Sequence, residues 1–228
     1  MKLRQQVFMM MVAALLVGSC AIIPGIVSEA QHEFDEGLAL FNAGRYQEAI
    51  PRFQRATDLD PNFGRAYLYL GRSFVSLKSW RQAVAPLRTA YRLAPEETKK
   101  EILDILIDTL FAGGLDAYSS ADFESAVSYF RELLGLQPTS AKGRSEFVKS
   151  LIAQGGNSLS NGNLPQAISA LSEAVKMSPD SFEAVFGLAK AFFKNGEFSK
   201  ALDTARSAMR VEPSNRELQS FLQELQKR

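Results

Sequence analysis

The side chains that could do chemistry in this chain are few and far apart. Its 228 residues include one cysteine, Cys20, and one histidine, His32. A histidine titrates near neutral pH, but His32 has no second imidazole and no nearby thiol to work with. It stands at the very start of an expected helix, where a surface residue is the simpler reading. A single cysteine rules out an internal disulfide. Asp104 and Asp108 share one helix face at i, i+4, the arrangement of a carboxylate pair for acid–base work. With no nucleophile–base partner beside them they read as a solvated face. There is no H-E-x-x-H and no glycine-rich phosphate loop. No catalytic residue, metal site or cofactor is therefore expected.

Cys20 has a context of its own. Met1–Gln6 carries Lys2 and Arg4 and no acid, and Val7 to Val17 is an uninterrupted apolar run. A charged start, a short apolar core and small residues before a cut make an export signal. Val17-Gly18-Ser19-Cys20 resembles the bacterial lipobox, with Val where Leu is the commoner residue. That resemblance implies cleavage after residue 19, a lipid on Cys20 and a tether over 20–30. Two other readings stay open. Ser28-Glu29-Ala30 would suit ordinary signal peptidase and release a soluble periplasmic protein. Alternatively the uncharged stretch 7–27 is about long enough to span a bilayer, weakened by Gly18, Pro24 and Gly25. All three place the rest of the chain outside the cytoplasm. In enterobacterial lipoproteins an aspartate after the cysteine retains the protein at the inner membrane. Here residue 21 is Ala, so the resemblance points to the outer membrane.

The elements beyond residue 30 are organised by a repeat. In Gly37–Pro61, Ala49, Phe53 and Ala56 lie on one helical face. Gly44 suits a left-handed turn residue, and Pro61 stops the helix. Prolines recur at 95, 138, 179 and 213, and the first and last spacings are 34 residues. The small–large–small triplet returns as Ala83, Leu87, Ala90; Ala126, Phe130, Leu133; Ala167, Leu171, Ala174; and Ala201, Ala205, Ala208. A bulky residue follows each turn: Tyr46, Trp80, Phe123, Leu164 and Phe198. The turn glycine is present at 44, 162 and 196 and replaced by Lys78 and Ala121. The first helices carry Gly37, Gly71, Gly114, Gly155 and Ala189.

This pattern over about residues 31–213 resembles the tetratricopeptide repeat (TPR) family, whose period is 34 residues. The resemblance implies an all-α, right-handed α-solenoid of about five helical hairpins. The expected repeats are 31–63, 64–96, 97–139, 140–180 and 181–213. Residues 214–228, with Leu218, Phe221, Leu222 and Leu225 on one face, are expected to form the capping helix that an open array end requires.

The middle departs from the period. Pro95 to Pro138 is 43 residues and Pro138 to Pro179 is 41. The excess predicts two lengthened helices near 97–119 and 140–160. These serve either as an extra contact ridge or only as mutual packing that adjusts the superhelix. Gly113-Gly114 and Gly155-Gly156 lie inside them, although each interior glycine costs about 1 kcal/mol against alanine. Close helix packing is the favoured reason, a hinge the other.

The resemblance also implies a concave groove lined by the first helices. Its register places Phe34, Phe41, Arg72, Phe111, Leu115, Tyr118, Ile152, Phe186, Lys190 and Phe193 on the inner face, with Leu38, Leu68, Val75, Gly156 and Leu159 beside them. The aromatics look additional to the minimal packing set; the alternative is that several of them pack within the array instead. The Lys, Asn and Arg set with which chaperone-cofactor TPRs clamp a peptide carboxylate is not reproduced. A mostly apolar lining with a few cations suits an extended peptide or an amphipathic helix. Outside residues 1–20, 24 basic residues face 25 acidic ones, so no basic face for nucleic acid is expected. The expected function is a membrane-anchored protein-interaction scaffold of the cell envelope. The alternatives are a soluble or inner-membrane form, or a cell-wall hydrolase or sugar-binding activity.

Overall fold

The computed structural model describes residues 28–227. The expected signal over 1–19, Cys20 and nearly all of the 20–30 tether lie outside the described residues. Among the described residues there are eleven α-helices and no strand. They pair as hairpins: α1 (Glu29–Asn42) with α2 (Tyr46–Leu59), α3 (Gly64–Ser76) with α4 (Trp80–Leu93), and α5 (Glu96–Ser119) with α6 (Phe123–Leu136). Then follow α7 (Ala141–Ser160) with α8 (Leu164–Met177), α9 (Phe182–Lys194) with α10 (Phe198–Val211), and α11 (Arg216–Leu225) alone. Each helix packs on the next, and the first helices also touch one another: α1 with α3, α5 with α7, and α7 with α9. This is an α-solenoid. The first helix begins at Glu29, two residues before the expected boundary. Ser28 supplies its cap, its Oγ accepting from the Gln31 amide at 3.1 Å.

Local chemistry sets the breaks. Every turn within a hairpin is three residues long and its middle residue has positive φ. Glycine takes that place at 44, 162 and 196, while Lys78 and Ala121 adopt it at 55° and 59°. Every turn between hairpins has a proline behind the last helical cap. A proline ring disfavours helical backbone in the residue before it. Asp60, Ala94, Gln137, Ser178 and Glu212, each followed by proline, accordingly have ψ between 78° and 140°.

The seam inside each hairpin is built from a small residue facing a large one. A Cβ on Gly37 would lie 2.8 Å from the Phe53 ring, and one on Gly71 2.6 Å from Leu87. One on Gly114 would meet Phe130 at 2.6 Å, and one on Gly155 would meet Leu171 at 2.5 Å. In the fifth hairpin both members shrink to Ala189 and Ala205, each fully buried. Glycine is thus required where the partner is Phe or Leu, and alanine fits where the partner is alanine. Gly113 is also packed, with Trp80 Cβ 3.0 Å from where its Cβ would stand, but Gly156 has nothing within 4 Å. Close packing accounts for three of the four paired glycines and not for Gly156.

The two long helices are 24 and 20 residues. Their extra length lies before the seam glycine. The seam residue is the eighth of α3 (Gly71) and of α9 (Ala189), the fifteenth of α7 (Gly155) and the nineteenth of α5 (Gly114). The added turns bury Ile102 and Leu106, the latter in the core of the first two hairpins, and Phe147 in the core of the third and fourth. At the far end α11 buries Leu218 and Leu225 against Ala201, Ala205 and Ala208. On the side away from the first helices, Arg88 of α4 makes two hydrogen bonds to Glu132 of α6, 2.6 and 2.7 Å long. Arg131 beside it reaches Glu173 of α8 at 2.7 Å.

Candidate functional site: the inner face of the first helices

The residues expected on the inner face fall into three registers relative to the seam glycine, and the structure treats them differently. Three residues before it stand Phe34, Leu68, Phe111, Ile152 and Phe186. Phe34 is fully buried and Phe186 is 3% exposed, so neither presents a ring to a ligand. Phe34 lies against Phe53, Phe63 and Tyr69, with ring centroids 4.9–5.8 Å away. Phe186 lies against Phe182 and against Phe221 of the capping helix. These two aromatics are core, and the reason is position: the loop before α3 covers the first and α11 covers the last. Phe111 and Ile152, in the middle, remain half-buried.

Four residues after the seam, Phe41, Tyr118 and Phe193 each stand edge-on to the aromatic that opens their own second helix. The pairs are Phe41–Tyr46 at 5.1 Å, Tyr118–Phe123 at 5.5 Å and Phe193–Phe198 at 5.6 Å. Their rings are therefore not additional to the packing; they close the hairpin above its turn. Tyr118 nevertheless stays 37% exposed and Leu115, one turn earlier, 40% exposed. Phe41 and Phe193 are half-buried.

The cations also differ from the sequence reading. Arg65 lies over Phe34 at 4.9 Å from the ring centroid, Arg72 over Phe41 at 5.7 Å, and Lys142 over Phe111 at 4.4 Å. In each case the cation comes 31 residues after the ring, from the first helix of the next hairpin. Such contacts contribute about 0.5–1 kcal/mol each at exposed sites, and they cover aromatic faces that a ligand would otherwise meet. Lys190 covers Phe186 at 4.3 Å and pairs with Glu217 of α11 at 3.2 Å, so it pins the cap. Arg65, Arg72 and Lys142 have no ion-pair partner among the described residues.

Two cavities open along this face, and a lengthened helix walls each. One, about 460 Å³, lies between α3 and the start of α5, lined by Leu68, Arg72, Thr98, Glu101 and Ile102 among others. The other, about 990 Å³, lies between the end of α5, α7 and the start of α9. Tyr118, Val148, Ile152 and Met177 give it an apolar lining. Arg144, Lys149, Glu183 and the hydroxyls of Ser145 and Ser181 give it polar edges. The added helical turns thus both pack and wall a cavity. Lys142, Arg144, Val148, Lys149 and Met177 were absent from the sequence-derived set. The signal for the four on α7 was its lengthening, in which Lys142, Ser145, Lys149 and Ile152 follow a helical line; Met177, at the end of α8, had none.

Elsewhere the chemistry is structural. His32 lies in solvent 3.3 Å from Glu36, and Asp104 and Asp108 are exposed. The buried hydroxyls of Ser73, Thr109 and Ser150 donate to main-chain carbonyls four residues earlier at 2.7–2.8 Å. No group of acids, histidine or cysteine able to hold a metal occurs among the described residues.

Comparison with known proteins places this geometry. Tetratricopeptide-repeat family models match residues 34–98 and 158–225, together more than half of the chain. DnaJ homolog subfamily C member 3 of Gallus gallus is 21% identical over 242 residues, 89% of this chain and 47% of the relative. The Protein STIP1 homolog of Dictyostelium discoideum is 27% identical over 113 residues, 50% of this chain and 19% of the relative. The chain spans less than half the length of these curated relatives. Among solved structures, the P58(IPK) TPR domain aligns with a TM-score of 0.42 at 18% identity, over 88% of this chain and 65% of that one. The models, the five hairpins and their shared seam agree: this chain belongs to the tetratricopeptide-repeat family, whose members are typically non-catalytic scaffolds for protein–protein interaction.

Proposed function

We propose that this protein is a lipid-anchored scaffold of the bacterial cell envelope, facing the periplasm from the outer membrane, and that it docks a partner protein on the inner face of its central hairpins. The observation that carries the docking half is the open surface there. Leu115 and Tyr118 stay exposed beside a cavity of about 990 Å³, while in the end hairpins Phe34 and Phe186 are buried and Phe41 and Phe193 half-buried. An extended peptide or an amphipathic helix fits such a trough.

The anchoring half rests on Val17-Gly18-Ser19-Cys20 behind the apolar run. The rival cut after Ala30 would remove Ser28, which caps α1, and Glu29, which pairs with Arg55 at 3.1 Å. A cut before Cys20 leaves both in place. It also leaves seven residues, 21–27, before the cap, a reach of about 25 Å when extended. Two or more acyl chains attach a protein stably where one binds only marginally.

One experiment addresses each half. Cys20→Ala should abolish palmitate incorporation and leave uncut precursor; unchanged labelling and processing would refute the anchor. Leu115→Ala with Tyr118→Ala should lose the partner captured from membranes while keeping the helical circular dichroism signal. Undiminished capture by the folded double variant would remove the inner face as the docking site.

A further inference from the structure

We infer that the cavity between α5, α7 and α9 is an anchor pocket for a partner peptide in which an apolar side chain stands beside a carboxylate. The inference rests on the docking reading above and adds the chemistry of the occupant. The cavity, at about 990 Å³, is at the upper end of the roughly 300–1,000 Å³ common for ligand clefts, so it takes several side chains. Its apolar wall is Tyr118, Val148, Ile152 and Met177.

Charge selects the neighbour of the apolar anchor. The exposed Arg144 donates only to the Pro138 carbonyl, at 3.3 Å, and has no ion-pair partner among the described residues. A guanidinium in that state presents free N–H groups in a fork that matches a carboxylate. Lys149, on the same rim, shares Glu146 at 2.8 Å and is 56% exposed. The first turn of α7, which forms this edge, contains no acid to offset the positive end of the helix. The single acid of the lining is Glu183, already taking a hydrogen bond from Ser181 Oγ at 3.2 Å. A basic partner segment would meet Arg144 as a like charge. This site is on α7, apart from the Arg65 and Arg72 cations of α3, which lie over aromatic rings.

The test is a selection of phage-displayed random twelve-residue peptides on the immobilised full chain. Enriched peptides are then synthesised and their affinity measured by fluorescence anisotropy. The expected result is enrichment of Leu, Phe or Trp with Asp or Glu within two positions. Arg144→Glu, a surface change that leaves the helical signal intact, should weaken the best peptide at least tenfold. Changing the peptide acid to Lys should restore binding to Arg144→Glu and not to the parent. Ser145→Trp, which fills the cavity from an exposed position, should weaken the same peptide. If enriched peptides ignore Arg144→Glu and Ser145→Trp but are lost on Phe111→Ala with Leu115→Ala, the pocket falls and the docking surface stands. Enrichment of basic peptides, or affinity unmoved by charge reversal, overturns the inference. No enrichment at all overturns both readings.

Discussion

At Lys78 and Ala121 the backbone takes the left-handed form that Gly44, Gly162 and Gly196 take in the other hairpins. For a residue with a Cβ that form costs about 1–2 kcal/mol. Glycine avoids the cost but loses more freedom on folding, about 0.5–1 kcal/mol. Lys78→Gly and Ala121→Gly are each predicted to stabilise the protein by about 0.5–1 kcal/mol, read as a higher urea midpoint. The sequence showed that glycine was missing at both places; it did not show that the turn keeps its shape without it, because three-residue turns between packed helices leave the backbone no alternative. A second prediction concerns acid. Arg45 holds the Glu48 carboxyl below its ordinary 4.5 by a hydrogen bond, and Lys200 and then Asn195 do the same for Glu197. Hydrogen bonds from Ser125 hold Asp122 below 3.8. With folded values below unfolded ones, the native state binds fewer protons, so these groups stabilise it above the unfolded values and cease to as pH falls through the folded ones. Urea midpoints should stay level between about pH 5 and 7 and decline below about pH 4, modestly, since Glu48 and Asp122 are exposed and Glu197 is partly so.

At the scale of the helix, the seam was legible because it is periodic. Ala49, Phe53 and Ala56 and their counterparts announce the buried face, and the structure buries all fifteen. The reciprocal rule between the two helices is less visible, since it appears only when Gly–Phe, Gly–Leu and Ala–Ala pairs are set side by side. The neighbouring glycines of α7 test it with opposite signs. Gly155→Ala would drive a Cβ to 2.5 Å from Leu171 and should destabilise by about 1–3 kcal/mol. Gly156→Ala enters open space and should stabilise by about 1 kcal/mol. Equal effects of the two in thermal melts would mean the seam is drawn wrongly. Pro51 and Pro86 sit inside α2 and α4, although the prolines at 61, 95, 138, 179 and 213 follow helix ends. Local propensity reads both as breaks, yet the helices run on because their inner faces are held by packing.

At the scale of the whole molecule, the hairpin order and the solenoid follow from nearest-neighbour packing and were readable from five copies of one pattern. The inner face was readable only in part. Register told which residues point inward, but not that Phe34 and Phe186 are sealed or that Arg65, Arg72 and Lys142 lie over rings, because covering groups come from the next hairpin or the cap. Consecutive residues Arg131 and Glu132 tie α6 to both neighbouring second helices, through Glu173 and Arg88. These partly exposed pairs should be weak singly. A double-mutant cycle on Arg88 and Glu132 is predicted to give about 0.5–1 kcal/mol, falling with added salt. A coupling near zero at low salt would show that hydrophobic seams alone join the hairpins.

The seam residue, glycine except for Ala189 of α9, stands seven residues later in α7 than in α3 or α9, and eleven later in α5. At 3.6 residues per turn, seven residues are close to two full rotations and eleven close to three. Both insertions return the helix to nearly the same angular phase, so the buried stripe continues unbroken into the added length. Any other increment near these would have swung the new turns away from their neighbours. The wall of the trough is therefore adjustable only in quantised steps, here of about 10 and 16 Å at 1.5 Å per residue. Duplicated hairpins of this kind can diverge in depth without renegotiating their contacts, and a designer could deepen or shorten one at the same allowed increments.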